Sequence, residues 1–316
     1  MKCYGFISIH VKRFILVLIL STFSPSVLAQ NPSSPSPISG ESEVIRVETR
    51  LVTLPVSVRD RAGKYLGDLR REDFRIFEEG VEQRIAHFES LDQPISIILL
   101  MDYSVSIRSD LQDIRTIGVA FLDQLRSEDW VRAVAFGNDV QVLFGDNRNR
   151  QLLREAILKT PLMGNTALYD AVLFTLRHLI QPGAGRKAII LFTDGVDTYS
   201  NKGADEESLR LANEQGAPVY VVKYGEWPDR ESARGREGRL YLRELAEKSG
   251  GTFYFAGSRE SMGRVLNKVA EELRSQYTMG YYPADGAKPG ERRKIKVGVK
   301  RQGVVVKARN SYVRGL

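Results

Sequence analysis

The chain has 316 residues, enough for about two domains at roughly 150 residues each. Lys and Arg total 46 against 39 Asp and Glu, a net charge of +7, and 42% of residues are hydrophobic, which argues against both a disordered chain and a multi-span membrane protein. The single cysteine, Cys3, excludes an intrachain disulfide framework, a cysteine-based zinc site and an iron–sulfur cluster.

Lys2, Lys12 and Arg13 precede an apolar run from Phe14 to Leu20, and Val27-Leu28-Ala29 follows a short polar stretch. A basic start, an apolar run too short for a ~30 Å hydrocarbon core and small residues at the cleavage point predict a signal peptide over residues 1–29. Cleavage would leave 316 − 29 = 287 residues and lower the charge by three to 7 − 3 = +4. Cys3 and His10 would go with it, leaving His87 and His178. The expected product is exported, periplasmic or secreted, with no transmembrane helix in the mature chain.

Residues 30–42 are Pro/Ser-rich and read as a linker. Val44–Val47 and Leu51–Val58 are rich in β-formers, with Pro55 favouring an edge strand or bulge. Phe74–Ile76 and Gln83–Ile85 flank Glu78-Glu79-Gly80, the pattern of a hairpin. Residues 43–92 therefore form an N-terminal β segment, small for a core of its own. From Ile95 the pattern changes to short continuous apolar runs, Ile95–Met101, Lys187–Thr193 and Val219–Tyr224, as expected of strands covered on both faces. Val131–Phe136, Val140–Phe144 and Thr252–Phe255 read as further strands. Helices are predicted from Leu111 to Leu125, Arg150 to Leu158, Ala167 to Ile180, around Leu209–Glu214, over Leu240–Lys248 and from Met262 to Leu273. Trp227–Gly238, with Arg230, Arg234 and Arg236, reads as a charged loop. The alternation implies an α/β fold over residues 93–277, a doubly wound, mostly parallel, Rossmann-like sheet with helices on both faces. Residues 278–316 return to β, with Ile295, Val297 and Val299 alternating against Lys294, Lys296 and Lys300. The two β segments are expected to pair into one small sandwich-like module flanking the α/β domain.

Three pieces carry chemistry. Asp102-Tyr103-Ser104-Val105-Ser106 follows the first buried strand, Gly164-Asn165-Thr166 precedes the Ala167 helix, and Thr193-Asp194-Gly195 ends the Lys187 strand. Open α/β sheets bind ligands at the carboxyl ends of their strands, so these hydroxyls and carboxylates would converge as hard oxygen ligands suited to Mg2+. Two carboxylates against a divalent cation leave a near-neutral site able to accept one outside anion. Asp102 or Ser106 alone would read as a helix cap, and Asp194-Gly195 alone as a turn. Asp170 reads either as support behind the ligands or as a first-turn acid, and Asp197 as a solvated acid.

The D-x-S-x-S pattern, the distant Thr and the strand-ending T-D-G resemble the metal-ion-dependent adhesion site of von Willebrand factor A domains, a resemblance covering residues 93–277. The N-terminal β segment, Thr166–Asp170 and Gln276–Pro283 also resemble the secreted bacterial VWFA-related subgroup. The resemblance implies that Ser104, Ser106 and Thr166 hold the metal through hydroxyls, while Asp102 and Asp194 bind it directly or through water. It further implies a divalent cofactor, Mg2+ first with Mn2+ or Ca2+ as alternatives, and a protein partner offering an Asp or Glu carboxylate. Val105 departs from the glycine found in many members, which bears on access by the partner more than on the metal.

Enzyme readings find less material. A haloacid-dehalogenase-type phosphatase needs a second acid where Ser104 stands, and neither a nucleophile elbow nor a P-loop occurs. The expected function is adhesion-type binding without catalysis; the alternatives are a metal-assisted hydrolase at the same site and a scaffold whose metal site is not functional. The cationic tail from Glu291 to Arg301 reads as the solvated face of an edge strand, and no nucleic-acid partner is expected.

Overall fold

A computed structural model describes residues 51–144, 149–180, 185–225, 232–283, 288 and 290–314. The expected signal peptide, the linker and the strand at Val44–Val47 lie outside the described residues.

Four strands open the chain: β1 (Val52–Asp60), β2 (Phe74–Glu78), β3 (Val81–Gln83) and β4 (His87–Glu89). β2 and β3 form the expected hairpin, and Glu79 and Gly80 turn it with positive φ of 48° and 85°, as a two-residue type I′ turn requires. The α/β unit follows. Its strands are β5 (Ile95–Asp102), β6 (Trp130–Phe136), β7 (Val140–Phe144), β8 (Arg186–Thr193), β9 (Val219–Tyr224) and β10 (Phe253–Ala256). Its helices are α1 (Leu111–Gln124), α2 (Arg150–Lys159), α3 (Leu168–Phe174), α4 (Ala204–Gln215), α5 (Ala233–Ser249) and α6 (Arg259–Arg274). The chain closes with β11 (Gln276–Tyr281), β12 (Arg292–Val299), β13 (Val304–Lys307) and β14 (Ser311–Val313).

The central sheet has the order β10-β9-β8-β5-β6-β7, parallel except for β7. β5 comes first in sequence yet lies inside the sheet, so the chain winds outward on both sides and leaves a crevice at its carboxyl end. Alternate residues of β5 face opposite layers. Ile97, Leu99 and Met101 join Ile114 and Phe121 of α1 and Leu266 of α6, while Ile98 and Leu100 join Leu168 of α3 and Leu245 of α5. Each such side chain contributes about 1.5–3 kcal/mol on burial, which makes this strand a rigid base for the loop after it.

The two chain ends form a pair of antiparallel four-stranded sheets, β13-β1-β11-β4 and β14-β12-β2-β3, around a core that includes Leu54, Val56, Ile76, Tyr277, Met279 and Ile295. β1 pairs with β11 from Val52 to Ser57 and with β13 only from Ser57 to Asp60. Pro55 therefore has one strand neighbour, the edge-like setting a proline tolerates.

Three local expectations are corrected. The Ala167–Ile180 helix is α-helical only to Phe174 and continues as a π-helical turn over Thr175–Leu179. The C-terminal part of the expected Trp227–Gly238 loop is the start of α5, because the Ser232 side chain accepts from Gly235 N at 3.0 Å and caps it. The cationic strand β12 is internal, between β14 and β2, so its exposed Arg292, Lys294 and Lys296 mark the solvent face of the sheet and not an edge.

Candidate metal centre

Asp102 ends β5 and is fully buried. Its Oδ1 accepts from Ser104 N at 2.9 Å and its Oδ2 from Thr193 Oγ1 at 2.7 Å, which fixes the carboxylate between two strand ends. Neither Asp102 nor Ser106 caps a helix; α1 starts later, after Asp110. A short 3-10 turn over Val105–Ile107 places the Ser104 and Ser106 Oγ atoms 2.8 Å apart. Gly164 O accepts from Val105 N at 2.7 Å and Met163 N donates to Tyr103 O at 2.7 Å, docking the second loop on the first. Thr166, almost fully buried, donates its N–H to Thr198 Oγ1 at 3.0 Å and accepts from Thr198 N at 2.9 Å, so the third loop is fastened to the second. Asp194, half-buried, accepts from Val196 N at 3.2 Å. The three loops thus meet at the carboxyl ends of β5 and β8, bringing together the segments that carry Asp102, Ser104, Ser106, Thr166 and Asp194.

Electrostatics points the same way. Burial, and after it the neighbouring Asp194 charge, pushes the Asp102 carboxyl up to about 7, partly offset by the bonds from Ser104 and Thr193. A buried carboxylate beside another acid is costly unless a cation joins it. Among the described residues no three His, Cys, Asp or Glu side chains converge, so a metal here would depend on the hydroxyls. The donor chemistry fits: all oxygen, with two serine hydroxyls separated by nearly the roughly 3 Å between adjacent ligands of an octahedral ion held at about 2.1 Å.

Several residues matter that the sequence reading left out or placed differently. Thr193, fully buried, donates to Asp102 and accepts from Gly195 N at 3.0 Å. Asn138 Oδ1 accepts from Asn165 N at 2.7 Å and packs where a Cβ on Gly164, whose φ is +80°, would lie 2.0 Å away. Asp197 is not a solvated acid. Its Oδ1 accepts from Leu168 N at 2.8 Å and from Ser200 Oγ at 2.6 Å, capping α3 from another loop where Ala167 offers no side-chain cap. Asp170 Oδ2 accepts from Asn201 N at 3.0 Å and Nδ2 at 2.8 Å, anchoring the far end of the 193–201 loop. The two described histidines lie elsewhere: His178 is exposed on the π-helical turn, and His87 sits on β4 in the sandwich, 3.1 Å from Glu89.

Comparison with known proteins places these features in a family. The profile of the von Willebrand factor type A domain matches residues 96–271. A UPF0353 protein of Nocardia farcinica is 28% identical over 217 residues, covering 58% of this chain and 65% of that protein. A UPF0353 protein of Mycolicibacterium vanbaalenii is 26% identical over 202 residues, covering 56% and 60%. This chain thus covers less than two thirds of the length of these relatives. Among solved structures, a von Willebrand factor type A protein from Catenulispora acidiphila superposes with a TM-score of 0.51 at 12% identity, covering 85% of this chain and 75% of that one. The pilus adhesin SpaC from Lactobacillus rhamnosus GG, in its open conformation, gives 0.50 at 13% identity, covering 81% and 49%. At these identities the likeness is one of fold.

Proposed function

Because the chain belongs to the von Willebrand factor type A domain family, we propose that it is a divalent-metal-dependent binding protein that captures a protein ligand through that ligand's Asp or Glu carboxylate. The observation that carries this reading is Asp102, a fully buried carboxylate at a strand end, beside Asp194 and two hydroxyls within 2.8 Å of each other. Ser104, Ser106 and Thr166 would hold the ion through their hydroxyls, and Asp102 and Asp194 directly or through water. The ion supplies the positive charge that holds an incoming carboxylate. Mg2+ suits the all-oxygen set, with Mn2+ and Ca2+ as alternatives. This chain's own residues orient the site: Thr193 and Ser104 N fix Asp102, and Thr198 fixes Thr166.

We read the protein as a binder and not an enzyme, since His87 and His178 lie away from the site and Asp102 is enclosed by its hydrogen bonds. Export, periplasmic or extracellular, rests on the signal-like first 29 residues; among the described residues no helix is long and apolar enough to cross a membrane.

The test is calorimetric titration of Mg2+ and Mn2+ into the wild type and Asp102→Ala. Saturable binding in the wild type and its loss in the variant is the expected result; absence of binding in both would end the proposal. Capture of protein ligands from an envelope extract should then be lost on adding EDTA and restored by Mg2+.

A further inference from the structure

A cavity of about 230 Å3 opens beside the metal centre, walled by Tyr169, Tyr199, Asp197, Thr198, Arg234 and Glu237, among others. It shares Thr198 with that centre, since the Thr198 hydroxyl accepts from Thr166 N at 3.0 Å. The cavity is smaller than the roughly 300–1,000 Å3 that drug-sized ligands occupy, and matches a single long side chain.

Its walls select for charge. The Tyr169 ring is set against Tyr241 at 4.4 Å, and Tyr199 stands 56% exposed. Asp197 is held in place by Leu168 N, Ser200 N and Ser200 Oγ, bonds that orient its charge without neutralising it. Glu237 makes no ion pair among the described residues and lies one turn along α5 from Arg234, the only cation among the described residues that line the cavity. Burial is the main cause that pushes the Tyr169 phenol up to about 12, and the nearby charges of Asp197, Glu237 and Asp205 add to it. Two acids against one cation, with phenol rings alongside, oppose an anion and suit a guanidinium or ammonium, which gains from both carboxylates and aromatic faces.

We propose that this cavity receives a basic side chain, Arg or Lys, of the same protein ligand whose carboxylate meets the metal, so that the partner presents an acidic and a basic residue in close succession. The pairing of the two subsites rests on the metal-binding reading above; the preference of the cavity for a cation does not.

Two measurements separate those parts. In the first, peptide pairs with Asp fixed and either Arg or Gln one to three positions away are titrated into the Mn2+-loaded protein. The best Arg peptide binds about tenfold more tightly than its Gln twin. Glu237→Gln, an exposed and conservative change, brings the ratio below about threefold while leaving the Gln twin's affinity unaltered. Equal binding of every Arg and Gln pair in the wild type overturns the proposal and leaves the metal reading standing.

In the second, N-acetylarginine amide is titrated in EDTA and followed by backbone NMR shifts. Movement of residues 197–200 and 234–237 that is absent with N-acetylglutamine amide and lost in Glu237→Gln supports the proposal. Absence of such movement overturns it. Peptide binding indifferent to EDTA would overturn the metal reading alone, with the arginine titration still deciding the cavity.

Discussion

At the scale of single residues, the centre depends on how Asp102 is held. Both its oxygens are engaged, one by Ser104 N and one by the Thr193 hydroxyl, so its orientation is set before any ion arrives. Thr193→Val keeps the shape and removes the donor. Mn2+ affinity should fall about tenfold, the lower end of what partners behind metal ligands contribute, with a stability loss of about 1 kcal/mol. Calorimetry and thermal melting check both figures, and Thr193→Ser should restore the affinity; an unaltered affinity in the Val variant would show that Asp102 needs no such support. Asp197→Ala should cost about 1–2 kcal/mol, because it removes the cap of α3. The five candidate donors were picked out in the sequence because their residue types and strand contexts repeat a known pattern. The roles of Thr193 and Asp197 were not, although both residues lie in or beside T-D-G. Their partners, Asp102 and Leu168 N, are distant in the chain, and only strand pairing and loop docking bring them near.

At the scale of elements, buried runs such as Ile95–Met101 announced the central strands, since a strand covered on both faces loses its polar alternation. The start of α5 was hidden because Gly235, Gly238 and several arginines dilute its apolar stripe, and the cap at Ser232 is a single residue. Gly238 has a specific reason to be there. A Cβ at that position would sit 1.8 Å from Gly195 O, so α5 can lie against the loop bearing Asp194 only while this residue lacks a side chain. Replacing a helical glycine by alanine ordinarily stabilises by up to about 1 kcal/mol. Gly238→Ala should instead destabilise by about 1–3 kcal/mol and weaken metal binding, because the loop must move away from the helix. Gly263→Ala in α6, where no atom lies within 4 Å of the added Cβ, is the control and should follow the ordinary rule. Melting temperatures of the two variants, compared with Mn2+ titrations, separate a clash at the site from a general effect of glycine replacement.

At the scale of the molecule, the two β segments were each too small to stand alone, which is why their association could be read from the sequence while their register, Val52 against Tyr281, could not. The sandwich is tied to the α/β unit by buried polar clamps. Arg309 donates to Asn213 O at the end of α4 and, at 2.7 Å, to Thr53 O in β1. Arg186 at the start of β8 reaches Leu91 O at 2.8 Å and Gln93 O at 2.7 Å, where the chain enters the α/β unit, and also Leu273 O near its exit. Glu272, almost fully buried, pairs with Lys307 of β13. Burial lowers the Arg309 guanidinium to about 10, yet it remains charged at neutral pH and donates through its two terminal nitrogens to these carbonyl groups. Arg309→Met should therefore leave two buried carbonyls without this donor and cost about 2–6 kcal/mol, at about 1–3 kcal/mol for each orphaned group. Because the clamps span both modules, the loss should lower the stability of both together. Hydrogen exchange during urea unfolding should give one midpoint for amides of β1 and β11 and of β5 and β8, shifted equally in the variant. Separate midpoints in the wild type would mean that the chain ends form an independent folding unit, and that the loops of the metal centre draw no rigidity from them.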